Sequence, residues 1–227
     1  MTSGEVALLQ SCLDSAVSYL EFGAGASTIH ASSVPTIERI DSVESSGEYV
    51  DEHLLSNAAI SAALSAGRLA FHVIDIGETS KWGYPIDASK KHLWPNYSLG
   101  VFSRPSTHDL VLIDGRFRVA CTLSSILSTP DDCRILLHDF WDRPQYHIVS
   151  KYLETMDRID TMGLFRKKPG VDLRKLRSLL ERYQYLPADR TIATSGAGIR
   201  HKARRVRAVA PSSSDQQGPV HPSIDGS

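Results

Sequence analysis

The stretch that most constrains this chain is Tyr19-Leu20-Glu21-Phe22-Gly23-Ala24-Gly25-Ala26-Ser27-Thr28. The run from Ala16 to Leu20 predicts a short buried strand, and Gly23, Ala24 and Gly25 predict a tight turn behind it. Ser27 or Thr28 is the expected cap of a helix over about 28–33. A helix start behind a glycine turn presents unpaired N–H groups close to the backbone, an arrangement suited to a bound cofactor.

The spacing from Gly23 almost reproduces the dinucleotide fingerprint Gly-x-Gly-x-x-Gly, with two departures. Thr28 stands at the place of the third glycine, and Glu21 lies two residues before the first. A pyrophosphate would be repelled by Glu21, whereas an ammonium or sulfonium would be attracted. The turn therefore suits S-adenosylmethionine, which carries both cationic groups and a ribose diol. An NAD-dependent oxidoreductase is the rival enzyme, disfavoured by the same two residues. The diol needs an acceptor about 20 residues on, at the end of the next strand. Glu44, closing Thr36-Ile37-Glu38-Arg39-Ile40-Asp41-Ser42-Val43-Glu44, meets that need; Asp41, inside the strand, is expected to face solvent.

Further motifs follow in order: Val43-Glu44-Ser45, Leu112-Ile113-Asp114-Gly115-Arg116 and His138-Asp139-Phe140-Trp141-Asp142-Arg143-Pro144. With Glu21-Phe22-Gly23 they resemble the class I S-adenosylmethionine-dependent methyltransferases, more narrowly the small-molecule O-methyltransferases, over roughly Val6 to Pro169. The resemblance implies a Rossmann-like α/β fold: an open, mostly parallel seven-stranded sheet with helices on both faces and an antiparallel edge hairpin. It also implies that Glu21, Gly23, Ala24, Gly25, Ser27, Thr28, Glu44 and Ser45 surround the cofactor, and that Asp75 or Ile76, ending strand three, lines the adenine pocket.

The 227 residues, 41% of them hydrophobic, suffice for one α/β domain with a full core. A net charge of -1 gives no drive towards nucleic acid or acidic membranes. No apolar run reaches the roughly 20 residues of a membrane helix, and the N-terminus lacks the basic flank and apolar core of a signal peptide. Cys12, Cys121 and Cys133 are odd in number and widely spaced, so reduced buried thiols are expected. These features together point to a cytoplasmic protein. They do not set its oligomeric state.

Residues 1–186 are expected to form the domain. A helix over 5–14 precedes strand one; Glu48 to Leu55 predicts a helix that Asn57 to Ala66 continues, with Gly67 ending it. Leu69 to Ile76 is the third strand. Residues 77–99, with Trp82, Tyr84, Trp94 and Tyr97 among Lys81, Lys90, Lys91 and His92, interrupt the α/β rhythm as an aromatic insertion. It is either a substrate lid or a surface loop packing on the sheet edge. The clearest strand, over 108–113, ends at Asp114, and another over 134–140 brings out His138 and Asp139. A helix follows each of them, over 117–128 and 146–153, then a hairpin pairs 158–161 with 162–167. The segment from Leu173 to Leu180 predicts a basic amphipathic helix with an apolar stripe underneath. From 187 to 227 a basic, Ser- and Pro-rich tail is expected to be disordered, with its charge concentrated in Arg200 to Arg207.

Methyl transfer to a hydroxyl requires removal of the hydroxyl proton. Asp114, His138 and Asp139 cluster if strands four and five are neighbours, and His138 is the natural base. Alternatively Asp114 and Asp139 hold Mg²⁺, although Phe140 stands where similar metal-dependent enzymes place another ligand. Arg116 and Arg143 either bind an anionic substrate or neutralise these acids. The expected acceptor is a small molecule or sugar; a methyltransferase-like protein that binds cofactor without turnover is the non-enzyme alternative.

Overall fold

The computed structural model describes residues 1–103 and 106–189. The expected tail from residue 190 on, including Arg200 to Arg207, lies outside the described residues. Seven strands form one sheet: β1 (Ser18–Phe22), β2 (Arg39–Glu44), β3 (Leu69–Val73), β4 (Leu110–Ile113), β5 (Arg134–Leu137), β6 (Leu153–Ile159) and β7 (Met162–Lys167). Their order is β3-β2-β1-β4-β5-β7-β6, parallel except where β7 runs antiparallel to both β5 and β6. The expected Rossmann-like sheet with its antiparallel edge hairpin is therefore observed.

Strand alternation sorts the side chains into two layers. On β4, Val111 and Ile113 face the core shared with α5 (Pro95–Leu99), α6 (Arg118–Ser128) and α7 (Leu173–Tyr183). Leu110 and Leu112 face the other core, which holds Leu9 and Leu13 of α1 (Ser3–Leu13), Ala31 of α2 (Ala26–Ser33) and Ile60 of α4 (Ala58–Ser65). All four β4 residues are buried, as its continuous apolar run requires. On α7, Leu176, Leu179, Leu180 and Tyr183 form the expected buried stripe. The three cysteines are free and buried. No helix among the described residues is long and apolar enough to cross a membrane.

Several elements differ from the sequence expectation. Strand one runs two residues further, so Glu21 lies within it. Asn57 does not continue the preceding helix, α3 (Gly47–His53); its side chain accepts from the Ala59 and Ile60 N–H groups and caps a separate α4. Strand three ends at Val73, before Asp75. The segment 144–151 is a 3₁₀ helix, and β6 begins at Leu153, well before the expected hairpin start.

Asp41 does not face solvent. It is 3% exposed, accepting from Arg39 Nε at 2.6 Å, with His72 Nε2 at 2.6 Å and His108 Nε2 at 2.8 Å. Burial alone would raise its pKa, but the bonds from His108, His72 and Arg39 outweigh it and hold the carboxyl well below the usual range. Partners on β3 and just before β4, invisible to a local pattern, account for an acid inside a central strand.

The aromatic insertion divides its side chains between core and surface. Trp94 and Tyr97 are buried against Phe117 at ring separations of 5.7 and 5.6 Å, and Trp94 Nε1 donates to the Ile76 carbonyl at 2.8 Å. Trp82 is 75% exposed. The insertion is thus partly a core element, built of single helical turns and α5.

Candidate active site

The strand order reverses between β1 and β4, and in open α/β sheets the crevice outside the strand ends at such a point is where ligands bind. The Gly23–Gly25 turn and Asp114 follow strands at this edge, and Glu44 ends one.

Glu21 shares the face of Tyr19, against the first turn of α2, and is fully buried. Its Oε1 accepts from the Ser42 hydroxyl at 2.7 Å and from the Thr28 hydroxyl; its Oε2 accepts from Ser27 at 2.6 Å and Tyr19 at 3.0 Å. Burial raises its pKa, against the lowering effect of these four hydroxyls. The expectation that Glu21 attracts a cationic ligand directly is corrected: its carboxylate is spent on the protein's own hydroxyls. Nor do Ser27 and Thr28 cap α2. Gly25 is the cap residue, and Thr28 Oγ1 accepts from the Gly25 N–H at 2.9 Å. The two departures from the dinucleotide fingerprint are therefore one device, with Thr28 linking Glu21 to the turn.

Gly23 has a φ of +98°, and a Cβ there would lie 2.8 Å from the Gly115 Cα and backbone N. This glycine is required twice, for its conformation and for the contact between the β1 and β4 turns. At Gly25 only the Tyr49 hydroxyl comes near, at 3.7 Å, so the backbone there is open to a ligand. Glu44 ties the neighbouring turns together: Oε2 accepts from Ala24 N at 3.1 Å, and Oε1 from Ser45 N at 2.6 Å and Ser46 N at 3.2 Å. With a single donor on Oε2, it retains acceptor capacity for a diol. Asp75 instead pairs with Lys90 and accepts from Gly77 N at 3.0 Å; the Ile76 side chain is buried in the core.

The structure brings Asp114, His138 and Asp139 together, as β4 and β5 pair in parallel. His138 Nδ1 lies 2.8 Å from Asp114 Oδ1, and its Nε2 lies 3.3 Å from Glu5 Oε2. Burial would lower the His138 pKa, but the bond to Asp114 and the charges of Asp114 and Asp139 raise it. Glu5, from α1, is 1% exposed. Burial opposes its charge, yet bonds from the Thr161 hydroxyl and the Thr2 and Thr161 N–H groups, with His138 beside it, bring its pKa down to about 2.

Arg118 completes the cluster. Its Nε donates to Gly115 O at 3.0 Å, one terminal nitrogen to His138 O and Asp139 Oδ2 at 2.6 and 3.1 Å, and the other to Asp114 O and Oδ1, both at 2.9 Å. All five guanidinium donors are used. Residues on either side of these bonds adopt left-handed backbone: Phe117 at φ 52° and Asp139 at φ 57°. The α6 N-terminus is capped from afar by Asp189, accepting from Arg118 N at 3.0 Å and Val119 N at 2.9 Å. Asp189 is 2% exposed, so the packed fold continues past the expected boundary at 186.

Sequence reading missed Glu5, Arg118 and Asp189. Only Arg118 carried a local signal, four residues after Asp114 at a helix start.

The donor set does not fit Mg²⁺. That ion prefers six oxygens, and here both acids are already neutralised, Asp114 by Arg118 and Asp139 by Arg118 and Arg143, the latter at 2.8 Å. Beside Arg143 a cleft of about 610 Å³ opens, lined by Tyr84, Asp142, Arg143, Pro144, Gln145 and Ala188.

No family model and no curated protein matches the sequence. Among solved structures, a methyltransferase-like protein from Silicibacter pomeroyi is similar, with 28% identity and a TM-score of 0.70. The likeness covers 82% of this chain and 95% of that one. A candidate caffeoyl-CoA O-methyltransferase from Staphylococcus aureus shares the fold, with 10% identity, a TM-score of 0.50 and coverage of 74% and 85%. Sheet order and the first of these likenesses show that the chain is similar to a methyltransferase-like protein and has the Rossmann-like methyltransferase fold.

Proposed function

We propose that the protein transfers the methyl group of S-adenosylmethionine to a hydroxyl of a small molecule or sugar, with His138 taking up the hydroxyl proton. The observation that carries this reading is the imidazole held at Nδ1 by Asp114, whose own backbone abuts the Gly23 turn of the first motif. The cofactor supplies the electrophilic methyl; Gly25 and Glu44 are the residues to hold it, with Glu44 accepting from the ribose. In the neutral ring the Nδ1 proton is donated to Asp114, leaving Nε2 as the acceptor. Glu5 Oε2, 3.3 Å from Nε2, can accept from that nitrogen only once it is protonated, so it pairs with the imidazolium and not with the neutral ring. The acceptor oxygen then loses its proton to Nε2 as it gains the methyl, and the products are a methyl ether, S-adenosylhomocysteine and an imidazolium.

Arg118 and Arg143 pair with Asp114 and Asp139 and orient them, so the imidazolium that forms is stabilised by two fixed carboxylates. Titration calorimetry with S-adenosylmethionine and S-adenosylhomocysteine tests the first step: saturable binding of both is expected, and no heat from either with the protein folded refutes it. An acceptor screen with labelled cofactor, run with Mg²⁺ and with chelator, tests the second. Labelled product that survives the chelator is expected.

A further inference from the structure

Two arginines that stand two residues apart are treated oppositely. Arg118 has every donor satisfied by the protein, as described above. Arg116 is also inside the fold, at 8% exposed, yet among the described residues its guanidinium has no hydrogen bond and no ion pair; only its backbone is bonded, the N–H to the Tyr97 hydroxyl and the carbonyl from the Cys121 thiol, both at 3.4 Å. The guanidinium lies flat against one partner, the ring of Tyr84, with its central carbon 4.2 Å from the ring centroid. Stacking on an aromatic face attracts a guanidinium but occupies none of its N–H donors.

The insertion is folded down to make this contact. Gly83 has a φ of +71°, and a Cβ there would sit 3.7 Å from Arg116 Cγ and 3.5 Å from Ser45 Oγ. Tyr84 in turn lines the 610 Å³ cleft, whose lining also includes Arg143. A planar fork of unused donors, fixed by stacking beside a cleft that contains a second guanidinium, matches the two oxygens of a carboxylate or phosphate.

We propose that Arg116, presented on Tyr84, is an anion-binding site that recognises a carboxylate or phosphate carried by the methyl acceptor. This rests on the methyltransferase reading for the word acceptor; the anion site itself does not. The same chemistry has a second source, the carboxylate of the cofactor, and the two are separated by where a substitution acts.

The test uses the full chain, with inorganic phosphate as probe. Phosphate is titrated by calorimetry into wild type, Arg116→Met, Arg116→Lys and Tyr84→Ala, each with and without saturating S-adenosylhomocysteine, after circular dichroism has shown which variants are folded. Expected are saturable phosphate binding to wild type in the presence of S-adenosylhomocysteine, a loss of about tenfold or more in Arg116→Met, a smaller loss in Arg116→Lys and Tyr84→Ala, and S-adenosylhomocysteine affinity unchanged within about twofold. The proposal is overturned by phosphate binding that is absent from wild type or equal in every folded variant. It is also overturned if phosphate binds only without S-adenosylhomocysteine, or if Arg116→Met weakens S-adenosylhomocysteine about tenfold, since the guanidinium then serves the cofactor. If wild type fails to bind S-adenosylhomocysteine while phosphate binding still needs Arg116, the methyltransferase reading falls and the anion site stands. Tyr84→Ala carries the same decision should Arg116→Met not fold.

Discussion

Replacing Glu21 by alanine separates two roles that a carboxylate before a cofactor turn can play. In the structure the side chain touches no open surface and accepts from four hydroxyls, those of Tyr19, Ser27, Thr28 and Ser42. Each bond to a charged acceptor contributes about 1.5–3 kcal/mol, but removing the carboxylate also relieves its own desolvation, and freed hydroxyls re-pair in part. The net loss for Glu21→Ala is therefore about 2–4 kcal/mol, or roughly 5–15 °C in Tm for a body of this size. Glu21→Gln keeps one acceptor oxygen and should lose about half as much. Because the carboxylate does not reach the ligand side of the turn, S-adenosylhomocysteine should bind Glu21→Gln within about tenfold of wild type. Differential scanning calorimetry and titration calorimetry on the same preparations decide the matter. An unchanged Tm in Glu21→Ala combined with a loss of cofactor binding would falsify the internal role and restore a direct charge contact.

Three other perturbations probe the cluster. Arg118→Met leaves Asp114 and Asp139 facing each other; breaking a buried pair costs about 3–5 kcal/mol, and because the acids are 28% and 18% exposed about 2–3 kcal/mol is expected by urea denaturation. Glu5 has its pKa brought from 4.5 to about 2, so its stabilisation is complete above the unfolded value and is lost as the pH falls towards 2. That is about 3 kcal/mol, and Glu5→Gln should flatten the acid limb of the stability curve; an unchanged limb counts against the Thr161 and His138 contacts. The His138 pKa is raised, so its contribution to stability is present below the ordinary value and fades as the pH rises through the raised one. Methyl transfer runs the other way: the neutral ring appears only above that pKa, so kcat should climb on a limb displaced to the alkaline side of about 6.5. His138→Gln should lower kcat about 10²-fold or more with cofactor binding intact, and an unaltered pH profile in that variant removes His138 from the proton transfer.

The parallel core of the sheet was legible because its strands are continuous apolar runs, as in Leu110 to Ile113, and because Gly23 and Gly25 punctuate the first of them. Glu21 and Thr28 were legible as departures from a fingerprint but not as partners, since the bond between them depends on strand one extending to Phe22 and turning Glu21 inward. Asp41 was misjudged for the same reason: its two histidines arrive 31 and 67 residues later. Glu5 meets His138 across 133 residues and Asp189 meets Arg118 across 71, distances at which periodicity and capping patterns are silent. His138 and Asp139 were found because they end a buried strand, where the chain can no longer hide a polar pair.

What Arg118 does explains why the edge of this sheet can be so acidic. Three carboxylates, from Glu5, Asp114 and Asp139, converge on one imidazole, an arrangement that self-repulsion would otherwise open or protonate. A guanidinium meets the need with geometry as well as charge: its fork takes both acids and three backbone carbonyls at once, binding the turn after β4 to the turn after β5. Lysine has three donors on one atom and cannot span those acceptors. A divalent ion would have to displace the guanidinium from the two carboxylates it would itself require. The left-handed Phe117 and Asp139 fit this account, since each is held in a costly conformation beside bonds that fix it. The arginine that is fully spent thus fixes the acids around His138, whereas Arg116, two residues earlier, has no hydrogen bond or ion pair from its guanidinium among the described residues.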